Sequence, residues 1–346
     1  MTIETHEEHL STSSPVPRPD ATSAEAAAGA ASRVRSHLIQ SFGIAAFLIV
    51  LVLVFASLTP RFLTGDNVEG ILTSIAFIGV VSLGQTLVVI AGGFDLSVAG
   101  VAPLSAVIFA SLVNSDMAIV LAIVAAVLVG GVVGAVNGII VTWGGINPLI
   151  TTLGTLSIAG GLAFTIVDGQ SVPIDNVSAG FMAETNLFWV PNQVWLAATA
   201  TVVLALVLRY TTYGRALYAL GGNREASRLA GMRVDALATS TYVLSGSLAA
   251  LGGVILASQL LAGDGNLGSD AALLSVAAVV LGGGSLLGGA GGALGTAAGV
   301  LVLGVLANGL TLMHVSTFYQ QMATGAVLLV AVGFSRVRAT AMRSIA

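Results

Sequence analysis

The hydrophobic pattern divides this chain into a polar N-terminal segment and a long series of apolar runs that begins at Leu38. A helix needs about 20 consecutive apolar residues to cross a bilayer core. Runs near this length occupy residues 38–58, 71–91, 97–113, 118–142, 149–167, 193–208, 237–261, 271–287, 290–312 and 317–335. The pattern therefore predicts an all-α polytopic membrane protein with about ten transmembrane helices.

The polar residues at the chain ends predict two segments outside the membrane. Residues 1–36 are rich in Ser, Thr, Pro, Ala and acidic residues and carry no apolar period, a composition typical of disorder. We interpret 1–36 as a disordered cytoplasmic tail, 37–336 as the transmembrane domain and 337–346 as a cytoplasmic C-terminal tail.

Arginine placement predicts the orientation of the chain. The basic residues cluster in the N-terminal tail, in 209–233 and at the C-terminus, and only Arg61 lies elsewhere. By the positive-inside rule these three regions are cytoplasmic, which agrees with six spans before 209–233 and four after it. The segment 168–192 then faces outward and carries three acidic residues, Asp168, Asp175 and Glu184.

Asp95 is an acidic residue between two apolar runs, two positions after the Gly92-Gly93 pair. A charge near the bilayer centre costs about 2.5–3.5 kcal/mol on insertion scales, so it persists there when it is paired, hydrated or functional. Asp is also a favoured N-cap, here of the 97–113 helix. The cap and a place on a pathway both stay open, and we predict a broken or re-entrant element near Asp95.

The polar interruption between the sixth and seventh runs predicts a short surface helix at 224–230. Asn223 is a favourable N-cap, Glu225 lies in the first turn, and Gly231 suits the left-handed position after the helix. An ordinary basic loop that only fixes topology is the alternative. We favour a docking helix for another subunit, because a short, doubly capped helix is more than topology requires.

Internal similarity points to further pathway residues. Val89–Leu96 lines up with Val279–Leu286, and an Asn-Gly pair recurs at Asn137 and Asn308. Repeats are common in transporters, and matching Gly-interrupted segments point to the pathway, although Gly-rich sequences also converge. Glycines spaced four apart predict close helix approach in two further places, Gly130, Gly134 and Gly138, and Gly291, Gly295 and Gly299.

Composition excludes several classes of function. The chain is 56% hydrophobic and 8% charged, so a soluble enzyme is close to excluded. It contains no cysteine, which removes disulfides and thiolate metal sites, and all twelve basic residues are arginine. Without lysine there is no G-x-x-x-x-G-K-[ST] phosphate loop. The G-x-G-x-x-G spelled by 263–268 has no βαβ unit around it, so we assign it no dinucleotide.

Four segments together carry a family resemblance: Gly92–Val98, Pro148–Thr155, Tyr213–Gly231 and Ala277–Leu286. They resemble permease subunits of bacterial ABC importers in the branch for ribose, xylose, arabinose, galactose and related sugars, and the likeness covers about 60–335. The sequence departs from the usual family pattern at Phe94, at Ser227, where Ala is usual, and near Ser269-Asp270.

The resemblance implies a role for each candidate site. The residues expected to dock on the ATPase subunit are Asn223, Arg224, Glu225, Ala226, Ser227, Arg228 and Gly231. The expected translocation pathway contains Gly92, Gly93, Asp95, Ser97, Asn137, Gly282, Gly283, Ser285 and Asn308. The external acidic residues Asp168, Asp175 and Glu184 are expected to contact a binding protein. We expect no catalytic residue and no metal site.

The expected protein is a permease of the bacterial plasma (inner) membrane that passes a ribose-type monosaccharide. The implied partners are a second permease copy in a homodimer, an ATP-binding subunit with two nucleotide-binding domains, an extracytoplasmic sugar-binding protein and the lipid bilayer, with no nucleic acid. No cofactor is expected on this chain, since ATP and Mg bind the partner ATPase. The alternative is an ion-coupled secondary transporter of a small neutral solute, for which Asp95 is the candidate coupling group.

Overall fold

The computed structural model describes residues 43–188, 190–327, 329 and 333. The tails predicted at 1–36 and 337–346 lie outside these residues, as does the start of the first predicted span and most of the end of the last. Among the described residues the chain is mostly helical.

The described helices follow one another along the chain, and the longest connection between them, 167–191, lies between α5 and α6. They are α1 (Gly43–Leu58), α2 (Gly65–Ile90), α3 (Val98–Asn114), α4 (Ile119–Thr142), α5 (Pro148–Ile166), α6 (Asn192–Tyr210), α7 (Thr212–Gly222), α8 (Arg224–Leu229), α9 (Val234–Leu260), α10 (Ala271–Leu281), α11 (Ala293–Leu312) and α12, described over 317–327. Six of them, α2, α4, α5, α6, α9 and α11, are long and apolar enough to cross a membrane. The helices α1, α3 and α10 are apolar but shorter.

Each of the ten predicted apolar runs overlaps one of these helices, and within the described residues two boundaries differ by more than three positions. Helix α2 begins at Gly65, ahead of the apolar run, because the polar residues Asp66 and Asn67 continue the helix beyond its apolar part. Helix α10 ends at Leu281 rather than near 287. Three consecutive glycines, 282–284, follow it and favour a turn over a further helical turn.

Short strands gather at one end of the molecule, which we call the strand end (168–192 and 261–270). Strand β1 (Val172–Pro173) pairs antiparallel with β4 (Ala262–Gly263), and β2 (Thr185–Leu187) pairs with β3 (Val190–Pro191). A 3₁₀ helix, Val177–Met182, lies between β1 and β2. The Asn114 side chain, at the end of α3, donates to the Pro173 carbonyl over 2.8 Å and holds this layer to the helices.

The turns after α2 and α10 and the segment α7–α8 lie at the other end, which we call the glycine end (91–97, 211–233 and 282–292). Helix α9 starts beside α8, where Arg224 pairs with Asp235, and ends at the strand end, where Leu261 accepts from the Ile174 amide. Its 27 residues span about 40 Å. Segments predicted to face opposite sides of a membrane therefore lie at opposite ends of one long helix.

Helix α9 is packed against α4 through glycines. A Cβ at Gly134 would meet the Tyr242 carbonyl, and a Cβ at Gly130 would meet the backbone of Gly246. The close approach predicted from the spacing of Gly130, Gly134 and Gly138 is confirmed. The outer face of α4 exposes large apolar side chains, including Val120 at 70% and Leu128 at 63%, as expected for a surface that faces lipid.

Candidate functional site

Helix α8 is capped at both ends, as the sequence predicts. The Asn223 Oδ1 accepts from the Ala226 amide over 2.9 Å. At the other end Gly231 has φ +82°, its amide donates to the Arg228 carbonyl, and the Met232 amide donates to the Ser227 carbonyl. This pair of bonds is a Schellman motif, which satisfies carbonyls that a helix end leaves free. A helix of two turns is thereby defined by its own sequence.

The surface of α8 is charged and almost fully exposed. Only Ser227, at 5% exposure, faces inward, so a small side chain suffices at the position where the family usually carries Ala. Arg228 bonds Glu225 over 2.6 Å, and this partner raises the pKa of the Arg228 guanidinium above its usual range. Leu229 is 81% exposed beside this ion pair. A single exposed apolar side chain is ordinary on a protein surface, so the charged groups are what distinguish this helix.

Arg224 connects α8 to the next helix. Its Nη2 lies 2.7 Å from Asp235 Oδ1, in the first turn of α9. Tyr242 and Ser245 lie further along α9 and are buried. This ion pair therefore joins α8 to the start of the helix that carries these two polar residues.

The sequence analysis did not predict α7 as a helix. Thr211 caps it, with its Oγ1 accepting from the Gly214 amide over 3.2 Å. Leu217 and Leu220 are buried at helical spacing, which is the signal that could have identified it. An open groove of about 400 Å³ lies between α7 and the start of α9, with Tyr213 and Met232 in its lining.

Two glycine turns end α2 and α10 in the same way. Gly92 has φ +84° and Gly283 has φ +93°. The Gly92 amide donates to the Val89 carbonyl, and the Gly283 amide donates to the Val280 carbonyl. The amide of the next residue donates to a carbonyl five positions earlier in both turns, from Gly93 to Val88 and from Gly284 to Val279. Both ends are Schellman motifs. The structural match is one residue out of register with the sequence match: it pairs Ser285 with Phe94 and not with Asp95.

Asp95 is fully buried directly after the first of these turns. Its Oδ1 accepts from the Ser97 amide over 3.1 Å and from the Ser97 hydroxyl over 2.5 Å. The Asn137 amide of α4 donates to the same hydroxyl over 2.8 Å. The Asp95 carboxylate therefore bonds Ser97, the residue in the N-cap position of α3, and Asn137 links the same residue to α4.

Several polar atoms around Asp95 have no hydrogen-bond partner among the described residues. They are Asp95 Oδ2, Asn137 Oδ1, Tyr242 Oη and Ser245 Oγ. The Ser245 hydroxyl faces the Asp95 carboxyl, and Tyr242 Oη lies against Gly93. A buried polar group without a partner costs about 1–3 kcal/mol, so a cluster of such oxygens is suited to a polar ligand. The sequence analysis did not single out Tyr242 or Ser245; their polarity within an apolar run was the available signal.

The other predicted pathway residues are not all near Asp95. The backbone of Leu287 and Gly288, in the loop that begins at Gly282, lies against Gly92. Ser285 Oγ accepts from the Leu287 amide over 3.2 Å, within the loop. Asn308 forms a reciprocal amide pair with Asn67, over 3.0 and 2.9 Å, at the far end of α2 from Gly92.

The three acidic residues that were expected to contact a binding protein are on the surface. Asp168, Asp175 and Glu184 are all exposed at the strand end. Among the described residues the ion pairs are those of Arg224 and Arg228, both at the glycine end. These three carboxylates therefore have no basic partner within the described part of the chain.

Comparison with known proteins gives a consistent result. Residues 67–332 match the family described as "Branched-chain amino acid transport system / permease component". The chain is 38% identical over 304 residues to the L-arabinose transport system permease protein AraH of Escherichia coli (strain K12), covering 88% of this chain and 93% of that protein. It is 38% identical over 301 residues to the ribose import permease protein RbsC of Bacillus subtilis (strain 168), covering 86% and 94%. No solved structure matches the chain.

Proposed function

The chain belongs to the family of permease subunits of bacterial ABC sugar importers, and we propose that it forms the translocation pathway for a ribose-type monosaccharide delivered by an extracytoplasmic binding protein. The two relatives are named for arabinose and ribose, both neutral pentoses. Asp95 is the one charged residue buried among the described residues, and hydroxyl and amide groups surround it. Such groups suit a neutral polyol better than a charged solute.

The capped helix α8 is the observation that carries the proposal. It exposes Glu225 and Arg228, is ion-paired to α9 through Arg224, and does not contribute to the hydrophobic core. A transporter driven by an ion gradient has no use for such a helix. In the proposed mechanism ATP binding draws the two nucleotide-binding domains together, and α8 carries that motion into α9 and the polar cluster at Asp95.

The proposed topology places the glycine end in the cytoplasm. The nine apolar helices α1–α6 and α9–α11, with the last predicted run at 317–335, give about ten spans, and even numbers of them separate the arginine-rich segments. Residues 91–97, which include the buried Asp95, form the break between α2 and α3. Both termini are then cytoplasmic in a multi-pass protein of the inner membrane.

The proposed assembly contains two copies of this chain, an ATPase with two nucleotide-binding domains and a binding protein. ATP and Mg bind the ATPase, and this chain binds no cofactor of its own. The exposed carboxylates of Asp168, Asp175 and Glu184 would meet Arg or Lys residues on the binding protein.

The first test is whether this chain co-purifies with the ATPase that is encoded next to it. The second is whether the complex transports sugar in proteoliposomes that contain sugar-loaded binding protein. Glu225→Arg should abolish ATP-driven uptake because it reverses the charge offered to the ATPase. Asp116→Arg reverses an exposed charge in the turn after α3, far from α8, and serves as the matched control. The double variant Glu225→Arg with Arg228→Glu keeps the ion pair within α8, so its failure would exclude helix instability as the cause.

Three outcomes would contradict the proposal in distinct ways. Uptake by the Glu225→Arg variant at the normal rate would remove α8 from coupling. Solute movement driven by an ion gradient without any ATPase would support the secondary transporter, with Asp95 as its coupling group. A binding protein that takes branched-chain amino acids and no sugar would leave the permease role intact and replace the cargo.

A further inference from the structure

Three backbone segments meet at one point of the glycine end. They are the end of α2 at Ile90 with Gly92, the end of α7 at Gly221, and the loop after α10 at Gly288 and Gly289. The Gly289 amide donates to the Ile90 carbonyl over 2.9 Å. Elements far apart in sequence are therefore in direct main-chain contact, and we call this contact the glycine junction (Ile90, Gly92, Gly221, Gly288 and Gly289).

The junction leaves no room for a side chain at two of its positions. A Cβ at Gly221 would overlap the Ile90 carbonyl oxygen and lie 2.5 Å from the Gly289 nitrogen. A Cβ at Gly288 would lie 2.8 Å from the Gly221 carbonyl oxygen and 2.9 Å from Gly92 Cα. By contrast, a Cβ at the neighbouring Gly222 would have nothing within 4 Å. Close backbone packing thus depends on the absence of a side chain at particular positions.

A side chain makes a second connection between the same elements. Tyr218, one turn before the end of α7, donates from its hydroxyl to the Gly291 carbonyl over 2.8 Å. Helix α7 ends at Gly222 and continues directly into the Asn223 cap of α8. The end of α7 is therefore joined to the loop after α10 on one side and to α8 on the other.

We infer that Gly221 and Tyr218 are positioning residues that deliver the displacement of α8 to both glycine turns at once. The inference rests on the proposed function, since it assigns the route by which ATPase motion reaches the pathway. Contact between backbones has no rotamers that could absorb a displacement, and close-packed protein transmits such strain. One turn leads to Asp95 and α3, and the other leads to α11, so both would move in step.

The test compares Gly221→Ala with Gly222→Ala in the complete complex of permease, ATPase and loaded binding protein. Both substitutions add one methyl group to the same end of α7, and only the first meets backbone. We expect Gly222→Ala to transport like the wild type. We expect Gly221→Ala to assemble and hydrolyse ATP but to lower sugar transported per ATP by at least about fivefold.

The Tyr218→Phe variant keeps the inference testable if Gly221→Ala fails to assemble. It removes one hydroxyl and preserves the ring, so assembly should survive. We expect a lower ratio of transport to ATP hydrolysis, with a fall of about fivefold or less because the backbone contact remains. A merely structural role would lower assembly and both activities together, and would leave this ratio unchanged.

The outcomes separate the inference from the proposed function. If the wild-type chain couples transport to ATP and both Gly221→Ala and Tyr218→Phe keep the wild-type ratio, the junction does not carry the motion and the inference is wrong. If the wild-type chain binds no ATPase, the proposed function is wrong, whatever the variants do.

Discussion

The turns that follow α2 and α10 begin with the same Schellman motif and then take different courses. After Gly92 the chain re-enters a helix at Val98, and Asp95 bonds the Ser97 amide on the way. After Gly283 no acidic residue follows, and the chain runs through the glycine-rich residues 284–292 before α11 begins at Ala293. The same C-terminal motif thus ends both helices, and the residues after it determine where and how the next helix begins.

The two turns are held in place by different groups. The turn after α2 is held by side chains, namely Asp95, Ser97 and Asn137, all fully buried. The loop after α10 is held mainly by contacts of its own backbone with Ile90 and Tyr218. We therefore expect the first turn to be sensitive to side-chain chemistry, and the second to be sensitive to added volume. Four predictions test this difference, from the largest expected effect to the smallest.

Asp95→Ala should destabilise the protein by about 2–4 kcal/mol, because it leaves the buried Ser97 amide and hydroxyl without their acceptor. The midpoint of thermal unfolding in detergent, followed by size exclusion, measures this effect. Asp175→Ala, which removes an exposed acidic side chain far from this turn, is the control and should leave the midpoint unchanged. An unchanged midpoint for Asp95→Ala would show that the first turn does not depend on its carboxylate.

Gly92→Ala and Gly283→Ala should each cost about 1–2 kcal/mol, because both positions have positive φ, which an L-residue adopts only with strain. A Cβ at Gly92 has its nearest neighbour at 3.7 Å, so strain alone accounts for its cost. Gly154→Ala, in open space within α5, should be neutral or slightly stabilising. The stability of the three variants is compared by unfolding in increasing concentrations of SDS. If alanine at one of the two turns left the stability unchanged, the two motifs would not be equivalent.

Asp95→Asn should cost less than about 1 kcal/mol, since Asn caps a helix about as well as Asp. The same thermal measurement checks this, and sugar uptake by the folded variant then separates two roles. Uptake at the wild-type rate assigns Asp95 to capping alone. Loss of uptake with normal expression and stability assigns its charge to the pathway.

Ser285→Ala should cost less than about 0.5 kcal/mol, because the one side-chain bond it removes, from the Leu287 amide, is exposed to solvent. Thermal unfolding again provides the measurement, with Asp95→Ala as the reference. A cost as large as that of Asp95→Ala would mean that the second turn also depends on a side chain.

The parts of this protein that depend on interactions between residues close in sequence could be predicted from the sequence. Asn223 and Gly231 cap α8 through hydrogen bonds between residues only a few positions apart, so the sequence predicts the bounds of that helix closely. The link from Asp95 to Asn137, and the approach of Tyr242 and Ser245, depend on how α4 and α9 pack, which no short motif encodes. The same holds for the pairing of Asn308 with Asn67, which depends on how α11 packs against α2.

The shift in register between the repeats has a similar origin. Sequence similarity aligns Asp95 with Ser285 because runs of glycine offer several equivalent matches. Positive φ at Gly92 and Gly283 fixes the alignment one residue away, since only the C′ glycine of each helix adopts that conformation. Helix α7 was missed because its polar face conceals the buried Leu217 and Leu220 in a segment that reads as a loop.

The glycine contact between α4 and α9 has a consequence for how the transporter opens. Backbone lies on backbone from Gly130 and Gly246 to Gly134 and Tyr242, so these contacts have no rotamers to rearrange. We therefore expect α4 and α9 to move as one body, and Asn137 and Ser245 to keep their separation. Movement around Asp95 would then come from residues 91–97, beside a frame that does not change shape.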